Sequence, residues 1–373
     1  MTPHKVVTIV GTRPEVIKMA PVVIELERRK SQFDHLLVTT SQHREMLFPA
    51  LAMFGMKPDV DLDLMQENQA LASFASRSLS ALSNLFAELS PEIILVQGDT
   101  TTVMTAALAA FYSGIRIGHV EAGLRSFQKR NPFPEEINRR IAGCIANLHF
   151  APTECARDNL LREGIPAEDI FITGNTIVDA LRSIPPVSAF EEPLLEGIKF
   201  DTSRILLVTV HRRENHGPNL KSICTALKML VGRFANLEIV FPVHLNPNVR
   251  GMVYEELGQT AGIHLTEPLS YRDLLGVMSR CYLILTDSGG IQEEAVSFDK
   301  PVLVLREVTE RPEVIEVGAG KLIGTKTESI IDEVSDLLVN QQRYELMSNA
   351  KNPFGDGHAA ARIVDILSQR LSS

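Results

Sequence analysis

Two acids stand directly behind short β-branched runs. EIILVQ leads through Gly98 to Asp99, and RIGHV leads to Glu121. If neighbouring strands carry them, two carboxylates face one cleft, an arrangement that pushes one pKa up and divides acid from base work. Asp99 has an equally good structural explanation, as the cap of a helix beginning at the threonines that follow it. Glu121 has no such explanation, because no helix begins after it.

A second group suits anions and sugars. YLILT is followed by Asp287, Ser288, Gly289 and Gly290, then by Glu293 and Glu294. Glycines let a phosphate approach the backbone, and the open N–H groups of a first helical turn donate to it. Glu294 lies four residues beyond Gly290, on the same helical face and roughly 6 Å along the axis. A diphosphate at the turn puts an attached ribose beside that carboxylate. Acids in a first turn also suit the helix dipole. A capping box from Ser288 needs its acid at position 291, however, and that residue is Ile291.

Other strand ends add charge. VVTIV leads to Gly11, Thr12 and Arg13, with Pro14 opening a helix that carries Lys18. Cations near a helix N-terminus gain nothing from the dipole, so Arg13 and Lys18 read as anion ligands about as readily as surface charges. ILLVTV leads to His211, Arg212 and Arg213, a basic cluster suited to a phosphate or proton role. PVLVL leads to Arg306 and Arg311, again anion-binding candidates. In PFPEEINRR, proline, two acids and then Arg139 and Arg140 match what any ion-paired helix prefers, and that segment reads as structural. His244, in FPVHLNP, takes no chemical role from the residues alone.

Positioning such groups takes parallel sheets. Eight β-branched runs alternate with longer segments of helical spacing: VVTIV, HLLVTT, EIILVQ, RIGHV, RILLVTV, LEIVFPV, YLILT and PVLVL. The alternation happens twice, with the proline- and acid-rich residues 184–203 between the two series read as a linker or peripheral segment. The expected fold is α/β, two doubly wound, Rossmann-like domains. One spans 1–180 plus the amphipathic segment 357–373, which packs back on it; the other spans 181–356. Ligand sites belong at the carboxyl ends of such strands.

Composition narrows the function classes. A chain of 373 residues, 45% hydrophobic and 22% charged, holds enough apolar material for two cores. A net charge of −9 argues against nucleic acid or an anionic membrane as partner. Cys144, Cys155, Cys224 and Cys281 lack ligand spacing and read as reduced thiols, with no metal. MTPHKVVTIVG has no signal-peptide pattern and no run spans a bilayer, so the expected location is cytoplasmic. There is no Walker loop and no GxGxxG fingerprint. A nucleotide-sugar enzyme fits, with nucleotide on one domain and sugar against the other.

The motifs GTRPE, QHREM, GDTTT, HVEAGLRS, PEEINRR, GNT, HRREN, HLNPNVR, DSGGIQEEA and TERPE together resemble the non-hydrolysing UDP-N-acetylglucosamine 2-epimerases. Each is weak alone, but their order is specific, and the likeness runs from residue 6 to about the GDG at 355–357. The resemblance implies a glycosyltransferase-B fold with its active site in the interdomain cleft. It also implies interconversion of UDP-N-acetylglucosamine and UDP-N-acetylmannosamine with no cofactor, neither NAD nor metal. By match to the family motifs, Asp99, Glu121 and Glu135 are acid/base candidates and His211 assists at the diphosphate. Arg13, Lys18, Ser288, Gly289, Gly290, Glu294 and Arg311 hold UDP. Glu135 enters only through this resemblance.

The resemblance further implies a homodimer, and a second UDP-N-acetylglucosamine bound as activator at Gln42, Gln69, Arg212 and His244. Asn68 stands where some members have arginine. Leu269 and Leu274 replace the Gln and Phe that relatives often place near uracil, and SFQKRNPFPEE and EEAVSFDKP also depart from the usual forms. Three other readings stay open: a 2-epimerase of a diacetamido uronic sugar, a glycosyltransferase of the same fold, and a non-catalytic nucleotide-sugar sensor.

Overall fold

All eight runs become strands, each laid parallel to its neighbours. The computed structural model describes residues 2–42, 44–66 and 69–372, the side chains of Arg44 and Glu45 excepted. His43 of QHREM and Asn68 lie outside the described residues. The chain divides into two units, Met1–Ile184 with Phe354–Ser373, and Pro185–Pro353.

The first unit is built on seven strands: β1 (His4–Val10), β2 (Phe33–Thr39), β3 (Val60–Asp61), β4 (Ile93–Gln97), β5 (Arg116–Val120), β6 (Leu148–Ala151) and β7 (Ile170–Ile172). Their order is β3-β2-β1-β4-β5-β6-β7, all parallel. Every residue of β4 is buried, as a central strand covered on both faces requires. Val7, Ile9, Ile94 and Val96 pack with Val103, Ala106 and Ala110 of the Thr101–Tyr112 helix, whose small residues bring it close to the sheet. Each fully buried Val or Ile contributes roughly 1.5–3 kcal/mol.

The turn after β1 approaches its neighbours so closely that only glycine fits. A Cβ on Gly11 would lie 2.2 Å from Thr102 Oγ1 and 2.5 Å from Thr40 Oγ1. The helix that follows, Arg13–Arg28, is covered by the Ala359–Ser372 helix, which buries Ile363, Val364 and Leu367 completely. Asp179 anchors the start of that terminal helix by accepting from Ala359 N at 3.1 Å and Ala360 N at 2.9 Å.

The second unit carries six parallel strands: β8 (Arg204–Thr209), β9 (Leu237–Pro242), β10 (Ile263–Thr266), β11 (Leu283–Thr286), β12 (Val302–Val304) and β13 (Gly320–Leu322). Their order is β10-β9-β8-β11-β12-β13. Leu206, Val208, Ile239, Phe241, Leu283 and Leu285 form the sheet's share of a core closed by the Pro218–Arg233 and Thr327–Val339 helices. Residues 185–203 pack on this unit. Asp273 accepts from Glu191 N and Glu192 N, and the Arg280 guanidinium lies 5.0 Å over the Phe190 ring. No helix among the described residues is long and apolar enough to cross a membrane.

Candidate active site

β4 and β5 are register partners up to Gln97 and Val120, so Asp99 and Glu121 lie two and one residues beyond a matched pair of strand ends. The two residues therefore lie at the carboxyl ends of neighbouring strands. Asp99 does not cap the following helix. That task falls to Thr100, whose hydroxyl accepts from Val103 N at 3.2 Å. Asp99 is held instead by Arg139 Nη2 on its carboxylate and by Asn138 Nδ2 on its carbonyl at 3.0 Å. Glu121 takes Lys18 Nζ on Oε2 at 2.6 Å and Gln97 Nε2 on the same oxygen.

Lys18 thus meets a protein carboxylate, where the sequence suggested a bound anion. The reading of PFPEEINRR as an ordinary ion-paired helix also needs correcting. Arg139 is 5% exposed and bridges Asp99 and Glu136, the latter at 3.4 Å. Glu136, fully buried, accepts from Ser126 N at 3.0 Å and Phe127 N at 3.1 Å and so ties down the loop after Glu121. Spacing on the helix could not reveal Asp99 as a partner, because it is distant in sequence. Glu135 is half-buried at the first position of the same helix.

Glu15 escaped the sequence reading altogether. It is 1% exposed and accepts from Thr12 Oγ1 at 2.6 Å, Gly11 N at 3.2 Å and, across to the next strand-end turn, Thr100 Oγ1 at 3.0 Å. Burial drives its pKa up to about 7, against the pull of the Thr12 and Thr100 hydrogen bonds. Thr12-x-x-Glu15 has the spacing of a capping box, a signal that was available in the sequence. Arg13, half-buried, opens that helix.

In the second unit the same logic recurs. Thr209 of β8 and Thr286 of β11 are register partners, which sets His211 and Asp287 just past their ends. Asp287 is fully buried and receives His211 N, Arg212 N at 2.9 Å and Asn215 Nδ2 at 2.9 Å. Its oxygen Oδ1 lies 2.9 Å from His211 Nδ1. Burial alone would raise this carboxyl, but the hydrogen bond and charge of His211 hold it below the usual range.

Ser288 is the N-cap of the Gly289–Ser297 helix and accepts from Ile291 N at 3.5 Å. Gly290 is exposed there. Glu294 is 8% exposed and accepts from Tyr271 Oη at 2.8 Å, a partner not foreseen from the sequence. The arginines after β12 are engaged by the protein. Arg306 pairs with Glu214 and Glu310, each at 2.8 Å, and Arg311 Nε with Glu293. Burial would raise Glu310, yet the Arg306 contact brings it down to about 2. Arg306 thus has two carboxylate partners within the protein.

Of the four residues matched to an activator site, two lie in each unit. Gln42 Oε1 accepts from Thr102 Oγ1 at 2.9 Å, and Gln69 Oε1 accepts from Arg77. Arg212 Nη2 lies 4.0 Å from where a Gly289 Cβ would stand, and its Nε is buried without a hydrogen-bond partner among the described residues. The His244 ring is 6.3 Å from that of His211. Burial, then the neighbouring His211 and His216, lower the His244 pKa.

The geometry can be set beside known proteins. The family model described as UDP-N-acetylglucosamine 2-epimerase matches residues 25–368. The chain is 48% identical over 363 residues to the UDP-N-acetylglucosamine 2-epimerase of Bacillus subtilis strain 168, covering 97% of this chain and 94% of that one. Its fold is similar to that of the Neisseria meningitidis UDP-GlcNAc 2-epimerase bound to UDP-GlcNAc, with TM-score 0.89, 42% identity and 98% and 100% coverage. It is similar, too, to the Methanocaldococcus jannaschii UDP-GlcNAc 2-epimerase in complex with UDP-GlcNAc and UDP, with TM-score 0.81, 35% identity and 98% and 99% coverage. The two parallel α/β sheets are those of the glycosyltransferase-B fold. On this match of sequence and fold, the chain belongs to the UDP-N-acetylglucosamine 2-epimerase family.

Proposed function

We infer that the chain interconverts UDP-N-acetylglucosamine and UDP-N-acetylmannosamine. A carboxylate removes the proton at sugar carbon 2, and that electron pair forms the C1–C2 double bond. The bond from carbon 1 to the diphosphate oxygen breaks, and UDP leaves with its electron pair. UDP then re-adds to carbon 1 of the glycal, and a proton returns to carbon 2 on the opposite face. Atoms and electrons balance without an external oxidant or reductant.

The observation that carries this reading is the adjacency of Asp99 and Glu121 at matched strand ends, each beside its own buried cation. A proton on carbon 2 is a poor acid, so the step needs charged groups held ready in a site that excludes water. Asp99, Glu121 and Glu135 share the proton transfers. The Ser288–Gly290 turn, Arg13 and Arg311 hold the diphosphate, Glu294 holds the ribose, and His211 stabilises the departing phosphate oxygen. The dyad with Asp287 supports that last role, since it orients the ring.

The same proposal has a cytoplasmic homodimer with a second UDP-N-acetylglucosamine as activator on Gln42, Gln69, Arg212 and His244. The closeness of His244 to His211, and of Arg212 to Gly289, supports communication between effector and diphosphate groups.

The test is incubation with UDP-N-acetylglucosamine alone in heavy water, followed by NMR. An epimerase incorporates deuterium at carbon 2 and yields the mannosamine epimer. Binding without exchange would instead mark a nucleotide-sugar sensor or a transferase awaiting an acceptor. Activation is tested separately, with UDP-N-acetylmannosamine as substrate. A rate that does not respond to added UDP-N-acetylglucosamine would argue against the effector site.

A further inference from the structure

Lys18 and Gln97 converge on one oxygen of Glu121. Lys18 Nζ donates to Oε2 at 2.6 Å, and Gln97 Nε2 donates to the same atom. The three residues are 9%, 4% and 7% exposed. They come from separate elements: the second turn of the Arg13–Arg28 helix, the last residue of β4 and the first residue after β5. Glu121 itself has φ +62°, in the left-handed region that residues with a Cβ enter at a cost of about 1–3 kcal/mol. Such a conformation persists where surrounding contacts over-determine it, and two donors on one oxygen supply part of that constraint.

We propose that Lys18 and Gln97 are positioning residues for Glu121, and that Lys18 acts on the reaction through this carboxylate, not as a ligand of the diphosphate. The proposal rests on the reading that Glu121 does acid–base work at carbon 2. An ammonium bonded to a buried carboxylate forms a pair with no net charge. Removing the ammonium strands a charge in the interior and changes the base directly. Arg139 on Asp99 repeats the device. Each of the two acids at adjacent strand ends then carries its own cation. Gln97 adds direction without charge, fixing the carboxylate plane.

The test compares Lys18→Met and Gln97→Met with the unsubstituted protein. UDP affinity is read by calorimetry, kcat and KM with UDP-N-acetylglucosamine, and carbon-2 deuterium exchange by NMR. Lys18→Met is expected to lose at least 100-fold in kcat and in exchange while its Kd for UDP stays within threefold. Gln97→Met is expected to lose about tenfold in kcat with UDP binding unchanged. A UDP Kd weakened tenfold or more in Lys18→Met would overturn the proposal, as would undiminished kcat in both variants. If Lys18→Met does not fold, Lys18→Arg decides: a cation that cannot reproduce the single 2.6 Å contact should lower kcat with UDP affinity retained, and a kcat kept at full value would overturn the proposal. Failure of the unsubstituted protein to exchange deuterium would instead remove the epimerase reading, a distinct result.

Discussion

His211 Nδ1 lies 2.9 Å from Asp287 Oδ1, and Asp287 is fully buried. A carboxylate partner calls for a donor, so Nδ1 carries a proton toward Asp287. Nε2, on the far side of the imidazole, is then the nitrogen presented to a ligand. Because Asp287 also takes the backbone N–H groups of His211 and Arg212, it sets the loop and the ring together.

His211→Ala is expected to lower kcat by about 10²–10⁴-fold, the range for a lost proton-transfer or electrostatic group. Asp287→Asn keeps the shape but changes one acceptor into a donor, and is expected to lower kcat by about 10- to 100-fold, as loss of an orienting partner does. Steady-state kinetics beside a thermal melt separate the cases. A melt shift in Asp287→Asn with unchanged kcat would leave Asp287 a purely architectural role.

Asp99→Asn and Glu121→Gln should abolish turnover and carbon-2 exchange, with UDP affinity largely intact. Each substitution keeps volume and removes the charge that Arg139 or Lys18 faces. Calorimetry with UDP supplies the check, and a lost UDP signal in either variant would show that these acids hold nucleotide.

Glu294 and Tyr271 give the opposite pattern. Glu294→Ala removes a charged acceptor for ribose and should cost about 1.5–3 kcal/mol of UDP binding. Tyr271→Phe, which removes the hydroxyl 2.8 Å from that carboxylate, should cost about 0.5–1.5 kcal/mol. Equal UDP affinity in all three proteins would place the ribose elsewhere.

Glu15 makes stability depend on pH. Its folded pKa is raised from 4.5 to about 7, chiefly by burial. The folded chain therefore holds this proton more tightly than the unfolded chain. Stability from this group is full below about 4.5 and is lost as pH rises through about 7, by an amount on the order of 3 kcal/mol. Glu15→Gln carries no charge, so its stability relative to the unsubstituted protein should climb over that window and level off above it. Buried His119 and His149, each lowered to about 4 by burial, act in the opposite direction, but they are common to both proteins and cancel. Urea midpoints at several pH values read the difference. A constant gap would mean that Glu15 stays in one protonation state throughout.

The central strands were legible because burial on both faces writes itself as continuous β-branched runs, from VVTIV to PVLVL. Short edge strands were not. β3 has only two residues, and β13 is GKL. Asp99, Glu121 and His211 could be singled out because each follows a strand. Their partners could not, since Arg139 and Asp99, or Lys18 and Glu121, meet only once the sheet order is known. Arg306 shows the reverse case. A cation after a strand looks like an anion site until folding brings Glu214 and Glu310 to it.

The Ala359–Ser372 helix gives the first unit an unusual assembly history. Its apolar side packs on helices that precede residue 185, yet the ribosome makes the whole of Pro185–Pro353 in between. Until that stretch has been synthesised, the nascent Arg13–Arg28 helix must wait with its outer flank uncovered. A fragment ending at Ile184 would inherit this exposed flank permanently and become a natural client for chaperones.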